Sequence, residues 1–456
     1  MSKLGLLYSN KSIFTLIISI LIIIIMDGSL IIFCTPKSNR IINVSNTELY
    51  LIYSLVFIIS NIVLLKLVTK ATSTLKKENK YYFFIIVLVQ SLLSLILLTI
   101  YGQITLNSNY SNFLIFLIVY GSFLSSVSFL IILTVRLLNW FSITHNYLTF
   151  IYGIAILIFI LNTIIGLTYI TQILSTHNDI IKPASCRAIF ASLFNINPDL
   201  SIFLSKLYDI TSIISFVAIW LATTIMLNQY SHKIGKIKYW ILVSLPLVVF
   251  MTKYEVMFYY FLSDPTILNI FYVELGPNLN PIVHILLNAN LQFGAVFFAI
   301  AFLVIVKKIP KRHNIVNSII MSLFGMMFLF GSKDISALIV PAYPPVGIVA
   351  ISYMGLASYL LLVGIYSSAT IAARDITLRK YLNKMVGNDT SLLTSIAFSE
   401  KESEIEKNVK SLMTYSSEWQ ENNKRFEIDQ HEIKDIIEDV ISEVKANKRR
   451  EEDKVK

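Results

Sequence analysis

The sequence predicts an all-α fold, a polytopic transmembrane helix bundle of about ten spans with a helical C-terminal tail. The mean hydropathy is +0.68 and 14% of the residues are charged, whereas soluble domains carry roughly a quarter. Apolar runs such as 13–33 and 147–170 are long enough to cross ~30 Å of hydrocarbon at about 20 residues per helix. Lysine and arginine concentrate in alternate gaps between these runs. The three observations together indicate an integral membrane protein.

Ten apolar runs are candidate spans. They lie at 13–33, 49–69, 82–101, 113–135, 147–172, 207–228, 239–262, 284–306, 314–331 and 346–371. Backbone groups in lipid must be hydrogen-bonded within the span, and unbroken apolar runs lack the alternation of barrel strands, so each run is predicted to be helical. Segments 173–206 and 332–345 are predicted to be longer connections. The prolines at the end of the second are expected to interrupt the helix.

The basic residues predict a topology with both termini in the cytoplasm of a plasma membrane. Lysines cluster after the second run, after the sixth and after the eighth, whereas 102–112 and 263–284 contain neither lysine nor arginine. Short cytoplasmic loops retain Lys and Arg, and translocated loops tend to lack them. The first run exceeds the length of a typical signal-peptide core and is interpreted as an uncleaved span. The +10 net charge therefore reflects the basic cytoplasmic loops and is not a nucleic-acid signal, so no nucleic-acid partner is expected. The apolar runs predict the lipid bilayer as partner.

The chain is predicted to divide into a transmembrane domain, 1–371, and a charged cytoplasmic tail, 372–456. Apolar residues at helical spacing predict tail helices over 389–415 and 431–445. The stripe on the second resembles a short coiled-coil seam. Two interpretations stay open: the tail helices pack on each other or fray, or they bind a protein partner or a second copy of the chain.

A candidate intramembrane polar site follows from the cost of placing charge in lipid, roughly 2.5–3.5 kcal/mol per side chain on insertion scales. Its residues, all predicted in the outer half of their spans, are Asp27, Asp209, Lys253, Glu255 and Asn288. Lys253 and Glu255 are two residues apart on a helix, so their side chains point to different faces and cannot pair directly. Lys253 therefore needs a partner on another span. Asp209, on the preceding span, is the candidate partner nearest in sequence. Either these side chains share an outward-opening cavity, or each marks a helix end or snorkels.

Cys34 and Cys186 are both predicted on the extracytoplasmic side, where a disulfide is permitted. Either the two cysteines form a disulfide bond, or their location on the same side is a coincidence.

Small residues four apart, Gly121 with Ser125 and Gly364 with Ser368, predict close helix packing. Nucleotide-binding, hydrolase and metal-ligand motifs are absent from the sequence, so no catalytic, cofactor-binding or metal residue is assigned. Whether the chain is an enzyme stays uncertain, leaning towards no, and no cofactor is expected.

A resemblance appears around the last span. The run 342–347, Ser352, Gly355, 358–359, 364–369, Asp375 and 378–379 resemble uncharacterised multi-pass membrane proteins of ammonia-oxidising (thaumarchaeal) archaea. The resemblance implies an archaeal plasma membrane. No activity is attached to that group, so it implies no functional residue.

Two functions remain from the sequence. The tail favours a membrane sensor, regulator or scaffold that acts through a protein partner. The even span count favours the alternative, a secondary transporter of a small solute with an outward-opening polar cavity, because such folds often contain two inverted halves.

Overall fold

The computed structural model describes residues 46–72, 77–107, 111–176, 198–228, 235–248, 297–298, 315–342, 344–374, 396 and 398–402. Regular structure in this part of the chain is entirely helical. The long helices are α1 (Asn46–Thr72), α2 (Lys77–Asn107), α3 (Asn112–Thr144), α4 (Tyr147–Thr176), α5 (Pro198–Asn228), α6 (Ile315–Ala342) and α7 (Pro344–Arg374). A further helical segment, 236–248, packs on α5 through the Trp220 indole, whose N–H donates to the Val243 carbonyl at 2.9 Å.

Six of these helices, α2 to α7, are long and apolar enough to cross a membrane. The apolar part of α1, Tyr50–Lys66, is shorter. The chain is therefore an integral membrane protein with a helix bundle, as its composition predicts. The count of ten spans stays a prediction, because 13–33, 284–306 and most of 239–262 lie wholly or largely outside the described residues.

The hairpin of α6 and α7 forms the centre of the described bundle. Buried residues make up 94% of the apolar stretch of α7 and 89% of that of α6, against 33% for α2. The surrounding helices expose leucine and isoleucine side chains, such as Leu95, Leu124 and Ile59. A helix that is apolar on all sides belongs in a protein interior, and exposed apolar belts on its neighbours suit contact with lipid tails.

Two glycines bring the backbones of the central hairpin together. A Cβ atom on Gly325 would lie 2.5 Å from the Leu361 nitrogen and 2.8 Å from the Ala357 oxygen. A Cβ atom on Gly364 would lie 2.5 Å from the Ser322 nitrogen. Small residues let helices approach closely in lipid, where dispersion contacts provide much of the association energy. The close packing predicted at Gly364 is confirmed. Gly121 contacts α2 more loosely, at 3.8 Å from Leu93 Cδ2.

The long helices extend beyond their predicted spans, most of all α3, which ends at Thr144 rather than at 135, α5 and α6. Helix α5 begins at Pro198 rather than at 207, because a proline is well tolerated at the first helical position. Helix α6 continues through Lys333 to Ala342, so the expected helix end at 331 is wrong. Pro341 enters only the last turn of α6, and Pro344 begins the next helix, in whose first turn a missing N–H costs least.

The chain divides into two compact units, 1–400 and 401–456. The second lies almost wholly outside the described residues. The boundary at 371 and the tail helix over 431–445 therefore stay predictions.

Candidate functional site

A buried lysine lies inside the bundle, on a helix of the central hairpin. Lys333 on α6 is 6% exposed, and it is the one buried charged side chain among those that the structure describes. Its Nζ lies 4.4 Å from the centroid of the Phe159 ring on α4 and 5.7 Å from the centroid of the Tyr208 ring on α5. Phe159 is near the middle of α4, so the ammonium group lies deep within the bundle rather than at its end.

Contacts between α4 and α5 hold the Tyr208 ring in place. The Asn162 amide Nδ2 donates to the Tyr208 carbonyl at 3.1 Å and to Thr211 Oγ1 at 2.7 Å. The Tyr208 ring stacks on Tyr169, with centroids 5.8 Å apart. Gly166 leaves room for it, because a Cβ there would lie 3.1 Å from Tyr208 Cε2. This hydrogen-bonded and stacked arrangement fixes the α5 surface that faces Lys333.

Two aromatic rings near Nζ stabilise a cation at this position. A cation over an aromatic face gains roughly 0.5–2 kcal/mol, and more when it is desolvated. That gain offsets part of the cost of moving an ammonium group away from water. Asp209 directly follows Tyr208 and is half-buried, so a carboxylate lies on the helix that provides the second ring. The Lys333 ammonium group can attract an anionic ligand group or respond to charge moving across the bundle.

The C-terminal segment contacts the end of α3. The Ser399 hydroxyl donates to the Trp140 carbonyl at 3.0 Å, and the Trp140 indole N–H lies 3.4 Å from Glu400 Oε2. Ser399 and Ile396 are both buried. We call Ile396, residues 398–400 and Trp140 the docking contact. It joins a segment that follows the last span to the transmembrane bundle.

The turn between α3 and α4 positions the docking contact. His145, with φ 51°, adopts the left-handed conformation and donates its N–H to the Phe141 carbonyl at 2.7 Å. Asn146 Oδ1 then accepts the Leu148 N–H at 2.9 Å. These bonds satisfy orphan groups at the end of one helix and the start of the next. The turn therefore fixes the end of α3 that carries Trp140.

Comparison of the chain with protein families, curated proteins and solved structures gives no match. The site is therefore interpreted from its own chemistry. Among the described residues, no group of three or more His, Cys, Asp or Glu side chains is placed to hold a metal ion.

Of the sequence-predicted site, the structure describes one residue. Asp209 lies on α5 beside the ring that faces Lys333. The remaining positions, Asp27, Lys253, Glu255, Asn288, Cys34 and Cys186, lie outside the described residues, so the shared cavity and the disulfide stay predictions.

Sequence reasoning missed Lys333, because the triplet Ser332-Lys333-Asp334 reads as the polar end of a span. The available signal was the apolar stretch Ile335–Val340 beyond it, which continues the helix.

Proposed function

We propose that the protein is a membrane sensor or regulator that communicates the state of its transmembrane bundle through its C-terminal tail. The docking contact carries this proposal. Ser399 and Glu400 precede the charged second unit and contact a helix of the bundle directly, so a change in that helix changes how the tail is held. A tail rich in helix-forming charged residues suits binding to a protein partner or to a second copy.

Contacts between α3 and α7 offer a route from the bundle core to the docking contact. The two helices run parallel, with Ser126 Oγ 2.6 Å from Ser358 Oγ and Phe129 5.3 Å from Tyr359 between ring centroids. Closer to the docking contact, Arg136 Cζ lies 3.9 Å from the centroid of the Tyr366 ring. Arg136 is one helical turn from Trp140. A shift of α7 is therefore expected to move the end of α3.

Replacing the Tyr366 ring tests the coupling. We expect Tyr366→Leu to loosen the docking contact, because it removes a cation–π interaction of roughly 0.5–2 kcal/mol, a change of about 2- to 30-fold in an equilibrium. The measurement is the rate of trypsin cleavage after Lys401, followed by mass spectrometry of the intact, folded protein. Tyr366→Leu should be cleaved faster than wild type by a factor in that range.

Tyr366→Phe is the matched control, because it keeps the ring face over Arg136, and it should be cleaved at the wild-type rate. Trp140→Ala, which acts on the docking contact itself, gives the upper limit. Equal cleavage of Tyr366→Leu and wild type, with Trp140→Ala cleaved faster, would contradict the coupling.

The proposal places both termini in the cytoplasm of an archaeal plasma membrane. The alternating basic gaps and the resemblance around the last span support this placement. Because α3 and α7 run parallel, their C-terminal ends share one side of the bundle, and the docking contact lies on that side.

A second candidate function, transport of a small solute, is favoured by Lys333. Ionisable side chains inside membrane helices commonly mark substrate or ion pathways. An ammonium group beside aromatic rings suits a solute that carries a carboxylate or phosphate.

Proteoliposomes test this alternative directly. If the protein transports such a solute, wild type will take up one of a panel of radiolabelled monocarboxylates, dicarboxylates and inorganic phosphate. Lys333→Met should then lose at least about 90% of the uptake, since the buried cation has no substitute. Lys236→Met, which removes an exposed lysine, serves as the charge-matched control and should retain uptake. Uptake by wild type and Lys333→Met at equal rates would exclude Lys333 as a transport residue.

A further inference from the structure

Buried polar groups collect where α7 meets α1, α2 and α3. Several are hydrogen-bonded across helices: Ser60 Oγ lies 2.7 Å from the Tyr353 hydroxyl, and Gln90 Nε2 donates to the Ser352 carbonyl at 3.3 Å. The Ser126–Ser358 pair lies on the same side of α7. We call this region the polar seam. It is separate from the Lys333 site, which lies between α4, α5 and α6.

Five side-chain atoms in the polar seam have no hydrogen-bond partner among the described residues. They are Asn61 Nδ2, Asn61 Oδ1, Gln90 Oε1, Ser122 Oγ and the Tyr359 hydroxyl. Their residues are buried: Asn61 is 4% exposed, Gln90 is 1% exposed, and Ser122 and Tyr359 are 0% exposed. Leaving a polar group in an apolar interior without a hydrogen bond costs roughly 1–3 kcal/mol by protein mutational data. Several such groups on neighbouring helices need a common explanation.

The chemistry of the unpaired atoms defines what they bind. The Asn61 amide provides a donor and an acceptor, Gln90 provides an acceptor, and each hydroxyl does both. A cation would use acceptors alone, and an anion donors alone. A neutral molecule that both donates and accepts hydrogen bonds matches the whole set.

A glycine of α7 lies where this helix faces α2 and α3 in the polar seam. A Cβ on Gly355 of α7 would meet the Ser125 hydroxyl and lie 3.7 Å from Gln90 Nε2. Glycine at this position therefore keeps polar groups of α2 and α3 directly against the α7 backbone.

We propose that the polar seam is an internal binding site for small, uncharged hydrogen-bonding molecules, with water as the smallest occupant. Buried waters in proteins typically make about three hydrogen bonds to groups that are otherwise unsatisfied. The occupant bridges α7 to α1, α2 and α3 through bonds that exchange. This inference does not depend on the proposed signalling function.

Cysteine reactivity tests for an aqueous occupant, because methanethiosulfonate reagents attack the thiolate, which an apolar environment suppresses. The background is Cys34→Ser with Cys186→Ser. Ser122→Cys is nearly isosteric and probes the seam, and Asn61→Cys probes it from α1. Leu133→Cys on α3, 0% exposed in an apolar setting, is the matched buried control. Each thiol pKa unit changes the thiolate fraction about tenfold, so we expect both seam cysteines to react at least about tenfold faster than Leu133→Cys.

Reaction of both seam cysteines at the Leu133→Cys rate, in protein that is monodisperse and folded, would overturn the proposal. Urea and glycerol then identify the source of the occupant. Slower modification in their presence assigns the site to neutral solutes, and an unchanged rate assigns it to water. Protection by sodium or potassium chloride, with none by urea or glycerol, would indicate a cation site and would contradict the inference.

Discussion

Gly325→Val is expected to prevent the central hairpin from forming. Its first added carbon would lie 2.5 Å from the Leu361 nitrogen and 2.8 Å from the Ala357 oxygen, and backbone atoms cannot move aside as a flexible side chain can. Helices α6 and α7 would have to separate along their buried length. We expect a loss of about 3 kcal/mol or more in the free energy of unfolding, measured by SDS-induced unfolding in mixed micelles.

Gly102→Val is the matched control for this substitution. Gly102 also lies in a helix, but nothing lies within 4 Å of a Cβ built there. Both variants carry the same intrinsic cost of a β-branched residue in a helix, so the difference between them isolates the packing of the hairpin. Similar unfolding free energies for the two variants would contradict the close approach of α6 and α7.

Phe330→Ala is expected to have the next largest effect on stability. The Phe330 ring on α6 is 2% exposed, with its centroid 5.1 Å from that of Phe159 and 4.9 Å from that of Phe298. Truncating a buried phenylalanine costs roughly 3–5 kcal/mol through lost contacts and the cavity left behind. We expect a loss in this range by the same SDS titration.

Leu124→Ala provides the comparison for Phe330→Ala. Leu124 on α3 is 56% exposed on the lipid-facing side, so lipid tails can replace the lost contacts. Its expected change is well below that of Phe330→Ala. An equal loss in both variants would indicate that the aromatic cluster does not form the interior of the bundle.

The sequence predicted the helical fold and the approximate position of every long helix in the described part of the chain. Hydrophobic length is sufficient for this, because lipid requires each spanning segment to satisfy its own backbone. The close approach at Gly364 was also predictable, since small residues four apart form a local pattern. Helix ends were less predictable, as the start of α5 at Pro198 and the extension of α6 to Ala342 show.

The sites depend on contacts between helices that are distant in the chain. Lys333 meets Phe159 and Tyr208, which lie on two other helices, and no local pattern encodes that meeting. Its polar neighbours in sequence resemble a helix end, whereas the surrounding helices bury it. The docking contact likewise joins Trp140 to Ser399 across 259 residues. Apolar spacing predicted a helix over 389–415, which includes Ser399, without specifying its partner.

The most direct test of the signalling account measures the distance between α4 and the C-terminal segment in proteoliposomes. Spin labels at Tyr147→Cys and Phe398→Cys, in the Cys34→Ser and Cys186→Ser background, occupy exposed positions at the start of α4 and within the C-terminal segment of the docking contact. A membrane potential, a pH gradient and osmotic tension are applied in turn. The account predicts docked and released populations whose ratio shifts under at least one stimulus. A single distance distribution, unchanged under all three, would contradict it.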